Sequence, residues 1–276
     1  MLVVHPLIHC YFGSEKYLRL ETGNHTMATT AEQSAGPATN PPRKHATDPF
    51  GGGIPMALVA LAVTAIGFYR SFLSQPASLD AAHLVHGVTS IGWLLLVLVQ
   101  AWLIRSGQYK THRFVGWTSL ALFAVLLVTS WQMVALMLSG ATGLPFGFAK
   151  IFAYSDLITL PLMILFYGAA ILLRKDRHLH SRLISATMLV AIVPAVARMF
   201  NLLWPGKDGL IIAMHPTYLF VLAVLAVAIF TDWKNGRLRW PFPFAFVWFT
   251  ITYATLFSGS SSHWFDSLAR TVGGIA

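Results

Sequence analysis

Cysteine and charged side chains are both scarce in this chain. Cys10 is its one cysteine, which excludes an internal disulfide, a cysteine-bound iron–sulfur cluster and a CxxCH haem attachment. Charged residues make up 11% of the sequence, against about a quarter in soluble domains. A cofactor must therefore be held without thiols, and the composition indicates an integral membrane protein.

Several catalytic motifs are missing as well. The sequence has no Walker loop, no HExxH, no GxSxG and no histidine cluster of the membrane di-iron oxygenases. ATP hydrolysis, zinc proteolysis, serine hydrolysis and lipid desaturation therefore lack their residues. The last apolar run contains no lysine for a retinal Schiff base, and the aspartate-rich pairs of prenyl-transferring membrane enzymes are absent. Enzyme activity as such is neither indicated nor excluded.

Long apolar runs dominate what is present. Hydrophobic residues make up 56% of the chain and the mean hydropathy is +0.64. Runs near the roughly 20 residues that a helical span needs lie at 54–72, 81–104, 114–138, 148–173, 183–204, 210–231 and 241–258. They are continuous rather than alternating, which favours helices over a β-barrel. The predicted fold is all-α, a polytopic transmembrane helical bundle of about seven spans.

The distribution of basic residues predicts the orientation of this bundle. Lys and Arg concentrate in alternate loops, namely Arg105, Lys110 and Arg113, then Arg174, Lys175, Arg177 and Arg182, then Lys234, Arg237 and Arg239. The positive-inside rule places these loops in the cytoplasm and the N-terminus inside. We therefore expect a multi-pass protein of the inner (plasma) membrane, with the lipid bilayer as its partner. The formal charge of +9 is mostly this topology signal and implies no nucleic-acid partner.

The ends of the chain differ from the bundle. Residues 1–50 are polar and aperiodic, which predicts a disordered cytoplasmic tail, and residues 51–259 form the predicted bundle. Residues 260–276 are expected to be a short C-terminal tail. Met27 and the residues after it resemble a translation start, so we expect residues 1–26 to be an upstream extension.

Polar side chains recur at one predicted depth, in the outer half of the spans. They are Asp80, His83, His86, Gln132, Asp156, Arg198, Asn201 and His215. Ionisable residues inside a membrane are costly and usually functional, so we interpret this set as the lining of one polar cavity formed by spans two to six. The spacing of three from Asp80 to His83 to His86 puts these side chains on one helix face. The same stripe continues through Trp93 to Gln100 near the inner end.

A second group of histidines lies at the predicted inner level. His112 opens span three, and His178 and His180 open span five, each within a basic run. A second site is therefore possible there. The alternative is that these loop histidines contact lipid head groups or helix ends.

Histidines at two levels are typical of bound haem or metal. Imidazole is the usual ligand of haem iron, zinc and copper, and a b-type haem needs one ring from each of two facing helices. His83 or His86 with His215 would form an outer pair or metal site, and His112 with His180 an inner pair. This arrangement resembles cytochrome b561-like proteins, although their histidines lie deep in the spans whereas most here lie at span ends.

A longer pattern resembles a family of bacterial predicted multi-pass membrane proteins of unknown function. It consists of His86-Gly87, Gln100, His112-Arg113 with Gly116, Arg174 with Asp176, His180 with Arg182-Leu183, and Arg198. The chain is also similar to small histidine-bearing membrane proteins of cytochrome oxidase assembly. Neither resemblance supplies a reaction. Respiratory-chain proteins or a quinone are expected as further partners besides the lipid bilayer.

The sequence thus leads to a best interpretation and to alternatives. The best interpretation is a membrane electron-transfer component that binds haem b or a transition metal through His83, His86, His215, His112 and His180. In it Asp80 and Asp156 orient rings or carry protons, Arg198 pairs with a propionate or an anionic substrate, and Gln100 lies on the same functional face. The alternatives are a non-redox transporter or sensor of a small solute, and a scaffold of a respiratory complex. In a purely structural interpretation, the outer histidines are hydrogen-bond partners and Asp156 forms a buried ion pair with Arg198.

Overall fold

Apolar helices make up almost all of the described chain. The structure is a computed structural model that describes residues 53–275, so the predicted tail at 1–50 and the extension at 1–26 lie outside the described residues. The helices are α1 (Ile54–Phe68), α2 (Ala81–Arg105), α3 (Tyr109–Leu138), α4 (Phe146–Leu172), α5 (Arg177–Ala191), α6 (Val193–Asn201), α7 (Lys207–Lys234), α8 (Pro241–Ser260) and α9 (His263–Gly273). A π-helical turn, Tyr69–Leu73, extends α1, and a 3₁₀ turn, Pro76–Ser78, follows it.

Seven helical segments of the described chain are long and apolar enough to cross a membrane. They are α1 with its π-helical turn, α2, α3, α4, α5 together with α6, α7 and α8. The predicted count and the predicted helical bundle are therefore confirmed. The sidedness of the bundle stays a prediction. We call the end that carries the loops around Arg105, Arg174 and Arg237 the basic end, and the other one the opposite end.

Two spans begin earlier than the apolar pattern indicates. Span three starts at Tyr109 and span five at Arg177, because polar residues extend these helices beyond the apolar run. Asp176 caps the second one, since its carboxylate accepts hydrogen bonds from the backbone N–H groups of His178 (2.9 Å) and Leu179 (3.1 Å). These N–H groups hold the pKa of Asp176 below its usual value. His112 and His180 therefore lie in helices and not in loops.

Proline interrupts the spans at three places near polar residues. Pro194 follows the break at Ile192 between α5 and α6, and Pro161 and Pro216 lie inside α4 and α7. Proline has no N–H and displaces the carbonyl four residues earlier, so each one disrupts the helical hydrogen bonding locally. The indole of Trp248 donates to the carbonyl oxygen of Ile158 at 3.0 Å, next to the Pro161 break.

The span formed by α5 and α6 is the most buried of the seven, and α5 packs on α4, α8, α1 and α2. An ion pair ties it to α7 near the basic end. The Arg182 guanidinium donates from Nε and Nη2 to the two carboxylate oxygens of Asp232, both at 2.5 Å, and both side chains are buried. Arg182 was expected in a basic loop, but it is part of the core.

The C-terminal residues form an amphipathic helix rather than a bare tail. Phe265 and Ala269 of α9 are buried, and α9 packs on α3, α4 and α8. Asp266 binds Lys150 of α4 at 2.5 Å and Arg270 at 2.9 Å. These two cations lower the pKa of the Asp266 carboxyl. The helix covers the opposite end of the bundle between α3 and α4.

Candidate functional site

Two histidines from different helices face each other at the basic end. The ring centroids of His112, in the first turn of α3, and His180, in the first turn of α5, are 6.4 Å apart, and the ring planes are nearly perpendicular at 85°. Gln100, near the end of α2, adjoins this pair, because the His112 imidazole is hydrogen-bonded to the Gln100 backbone. We call Gln100, His112 and His180 the paired-histidine site. The inner pair predicted from the sequence is thus brought together.

The hydrogen bond of His180 fixes its protonated nitrogen. Its Nδ1 lies 2.8 Å from the carbonyl oxygen of Ala170, and a carbonyl oxygen only accepts hydrogen bonds. The proton of a neutral His180 ring is therefore on Nδ1, which leaves the lone pair of Nε2 free. A backbone carbonyl behind the imidazole is also the usual way in which proteins orient a metal-binding histidine.

The other two side chains of this site carry unsatisfied atoms. Within the described residues, the buried side-chain atoms without a hydrogen-bond partner are Gln100 Oε1, His112 Nδ1 and Asn201 Oδ1. Two of these three lie in the paired-histidine site. An unpaired buried polar atom costs about 1–3 kcal/mol, so this concentration indicates a place that can accommodate a further ligand.

The separation of the two rings is compatible with a shared metal. Because a bond from a metal to an imidazole nitrogen is about 2 Å long, two imidazoles on one ion hold their centroids roughly 5 to 6.5 Å apart. The observed 6.4 Å is at the wide end of that range. The donor set of two imidazoles and an amide oxygen fits copper, iron or zinc better than magnesium or calcium.

A complete metal site of acids, thiols and imidazoles is not formed. In the part of the chain that the structure describes, no three His, Cys, Asp or Glu side chains come close enough to hold an ion. This includes His83, His86 and His215, whose joint ligation stays a prediction without a contact that supports it. The paired-histidine site offers two imidazoles, and its third donor is the amide of Gln100.

An aromatic cluster that was not predicted lies about two helical turns from this site, toward the bundle centre. The Trp93 ring is 5.3 Å from both Phe123 and Tyr167, and the last two are stacked at 4.1 Å. The Tyr167 hydroxyl is 2.7 Å from Ser119 Oγ, two helical turns after His112. The Trp93 indole donates to Thr187 Oγ1 at 3.3 Å. The available signal was the seven-residue spacing between Trp93 and Gln100, which places both on one face of α2.

The predicted outer histidines make hydrogen bonds to different neighbours. Asp80 caps α2 by accepting from the backbone N–H of His83 at 2.9 Å, and its second oxygen binds His83 Nδ1 at 2.7 Å. These two contacts lower the pKa of Asp80. His86 contacts Thr129 Oγ1 through Nδ1 (3.2 Å) and Ser90 Oγ through Nε2 (3.4 Å), so both of its nitrogens already have partners.

His215 is oriented toward α8 rather than toward α2. Its Nδ1 is 2.9 Å from the Tyr253 hydroxyl, and its ring packs on Phe257 with centroids 5.2 Å apart. Tyr253 in turn stacks on Tyr218 at 5.3 Å, and the Tyr218 hydroxyl is 2.7 Å from Ser155 Oγ. The structure gives no contact of His215 with His83 or His86.

Asp156 and Arg198 lie in the opposite half of the bundle. Each is within electrostatic range of the other, and His86 also feels the charge of Arg198. The ion pairs within 4 Å among the described residues do not include Asp156 or Arg198. A buried ion pair that joins two helices is found instead between Arg182 and Asp232. The Arg198 side chain is exposed and that of Asp156 is half-buried. Gln132, which was also predicted to line the outer cavity, has an exposed side chain.

No family model, no curated protein and no solved structure matches this chain. The resemblances proposed from its motifs therefore stay predictions. The site has to be interpreted from its own chemistry, which is that of two imidazoles and an amide on three membrane-spanning helices, with all three side chains half-buried.

Proposed function

We propose that this integral membrane protein is an electron-transfer component that binds a redox-active transition metal, as haem b iron or as a bare ion, at the paired-histidine site. The observation that carries the proposal is that the rings of His112 and His180 face each other from two helices, with no hydrogen-bond partner at His112 Nδ1 or Gln100 Oε1 and a carbonyl oxygen behind His180 Nδ1. A bound iron or copper ion would supply a one-electron redox couple.

The residues of the site have separable tasks in this proposal. His180 binds through Nε2, and the carbonyl of Ala170 orients the ring by accepting from Nδ1. His112 binds through Nδ1, which has no other partner. Gln100, whose Oε1 has no hydrogen-bond partner, would supply a third donor. Its amide dipole would also influence the redox potential of the bound metal.

In this proposal the aromatic cluster extends the path of the electron. Trp93, Phe123 and Tyr167 are in mutual contact and lie toward the bundle centre, about two helical turns from the paired-histidine site. Their polarisable rings would carry an electron from the neighbourhood of the site toward mid-membrane.

Spectroscopy of the purified protein tests the proposal. We expect ultraviolet–visible spectra of the oxidised and dithionite-reduced protein to show a reducible haem band, or metal analysis to show about one copper per chain. Either signal must be lost in His112→Ala and His180→Ala. His178→Ala is the matched control, because His178 lies in the same helical turn as His180 and is exposed.

Absorption spectra and metal analysis distinguish bound haem from a bare metal ion, and both from a protein that binds neither. A Soret band that shifts on reduction identifies haem, and copper without a Soret band identifies the bare ion. A folded protein that is colourless and free of transition metal after expression with added iron, copper and haem precursor would overturn the proposal. So would full retention of the metal in the His112→Ala, His180→Ala double variant.

A further inference from the structure

Two adjoining depressions mark the opposite end of the bundle, where α1 and its π-helical turn meet α6. One is a polar cleft of about 320 Å³ bordered by Gly67, Arg70, Ser71, Arg198 and Asn201, among others. The other is an apolar groove of about 430 Å³ bordered by Ala65, Ile66, Tyr69, Arg70 and Leu202. They share Arg70 and Leu202. Together they form one elongated surface with a cationic half and an apolar half.

Local backbone features place the two arginines of the cleft. Arg70 lies in the π-helical turn that ends α1. Arg198 follows Pro194 by one helical turn, and its Nη1 donates to the Pro194 carbonyl oxygen at 3.2 Å. Its guanidinium lies over the Phe68 ring, 4.5 Å from the centroid. Arg198 is thus held in place before any ligand binds.

A close helix contact brings these arginines together. A Cβ added to Gly67 would lie 2.2 Å from the carbonyl oxygen of Ala195, so α1 can approach α6 this closely only because residue 67 has no side chain. The contact sets the turn that carries Arg70 against the helix that carries Arg198.

The charge of the cleft is left without a nearby counterion. Among the described residues, neither Arg70 nor Arg198 belongs to an ion pair within 4 Å, and both side chains are exposed. Asp156 balances Arg198 only through a longer electrostatic interaction. Guanidinium groups bind carboxylate and phosphate through paired, charge-assisted hydrogen bonds, so the cleft is suited to an anion.

The groove beside the cleft is suited to lipid chains. The exposed fractions of Ile66, Tyr69 and Leu202 are 50%, 61% and 47%, at the end of membrane-spanning helices where head groups meet hydrocarbon. A soluble anion would use only the cationic half of the surface. An amphiphile uses both halves at once.

We propose that Arg70 and Arg198 bind the phosphate or carboxylate of an anionic membrane amphiphile whose apolar chain lies along Ala65, Ile66, Tyr69 and Leu202. This site is separate from the paired-histidine site, at the other end of the bundle, and it does not depend on the proposed function. It assigns a task to Arg198, whose exposed charge lies in the last turn of a membrane-spanning segment and needs an explanation, and it adds Arg70, which the sequence did not single out.

Native mass spectrometry of the detergent-solubilised full chain tests this site. The probes are phosphatidylglycerol, phosphatidylcholine with the same acyl chains, and inorganic phosphate. We expect phosphatidylglycerol to be retained about 10-fold better than phosphatidylcholine, since a hydrogen-bonded charge contact is worth about one order of magnitude in affinity. Arg70→Gln and Arg198→Gln should each remove most of this preference. Arg105→Gln, which changes an exposed arginine at the basic end, should leave it unchanged.

A further variant tests the apolar half. Ile66→Ser should weaken retention of phosphatidylglycerol without affecting inorganic phosphate, and because Ile66 is exposed the protein should remain folded. Equal retention of both lipids, or a preference that survives in Arg70→Gln, would overturn the proposal. If inorganic phosphate displaces phosphatidylglycerol at equal concentration, the cleft is a soluble-anion site and the amphiphile proposal is also overturned. Size-exclusion elution of each variant shows that loss of binding is not loss of fold.

Discussion

The two ends of this bundle both contain histidines near acidic, basic and amide side chains, but their histidines are used differently. In the opposite half, His83 is bound to Asp80, His86 to Thr129 and Ser90, and His215 to Tyr253. At the basic end, two histidines from different helices face each other, and His112 Nδ1 has no hydrogen-bond partner. The comparison teaches that a shared ligand requires rings from two helices that face each other, and among the described histidines this arrangement is seen for His112 and His180.

The largest effect on stability should come from removing one partner of the buried Arg182–Asp232 ion pair near the basic end. Asp232→Ala leaves the Arg182 charge buried and unpaired, which typically costs about 3–5 kcal/mol. We expect loss of folded protein in detergent, or a large fall in Tm measured by the fluorescence of the nine tryptophans.

Two further variants separate charge from volume at this ion pair. Asp208→Ala changes an exposed acid of the same helix and should leave Tm nearly unchanged. The double variant Arg182→Met, Asp232→Met should recover much of the stability, because it removes both buried charges. An Asp232→Ala protein with unchanged Tm would contradict the proposal that the Arg182–Asp232 ion pair stabilises the fold.

The comparison between the two ends is tested most directly by histidine variants. His112→Ala or His180→Ala should abolish the metal or haem signal, because each removes one of two imidazole ligands. His83→Ala and His86→Ala should retain it, since these rings contact Asp80, Thr129 and Ser90 rather than a histidine of another helix. Metal content per chain, measured on protein with the same elution volume, is the readout. Loss of metal only in the His83 and His86 variants would move the site to the opposite half.

Gln100→Leu tests whether the unpaired amide oxygen of Gln100 serves metal binding or packing. Replacing the amide removes the buried Oε1 that has no partner, so the metal-free protein should gain up to about 1 kcal/mol of stability or stay unchanged. Metal affinity should fall by about 10-fold to 100-fold, as for other residues that support a metal site. Thermal unfolding of the metal-free form and a metal titration separate these effects. A strong loss of stability without metal would show that Gln100 is a packing residue.

The smallest effect concerns the cap of α2. The pKa of Asp80 is lowered in the folded protein by the backbone and side chain of His83, so its carboxylate stabilises the fold above its unfolded pKa. This contribution is lost as the pH falls through the lowered folded pKa. Asp80→Asn should lower Tm slightly at pH 7, and the difference from wild type should shrink as the pH falls below the ordinary aspartate pKa of 3.8 and vanish below the lowered folded pKa. A constant difference in Tm between pH 7 and pH 3 would contradict this.

Part of the candidate site followed from the sequence. His112, His180 and Gln100 were recognised because they lie at the ends of apolar runs that must meet at one level of a bundle. The sequence did not predict that Arg182 leaves the basic loop and pairs with Asp232 in the core. Nothing in the local pattern distinguishes it from Arg174 or Arg177, because only the tertiary arrangement that brings Asp232 of α7 to α5 decides which arginine is buried.

The sequence by itself determined the class of this protein, the number of its spans and the levels at which polar residues lie, because hydropathy and span length depend only on residue order. The tertiary structure decided which residues at a level face one another. His215 turns to α8, His112 turns to His180, and Arg70 joins Arg198 through a close contact at Gly67. The rotation of each helix about its axis and the choice of its neighbours result from the packing of the whole bundle, and similar apolar faces on all seven spans leave these choices undetermined by local sequence.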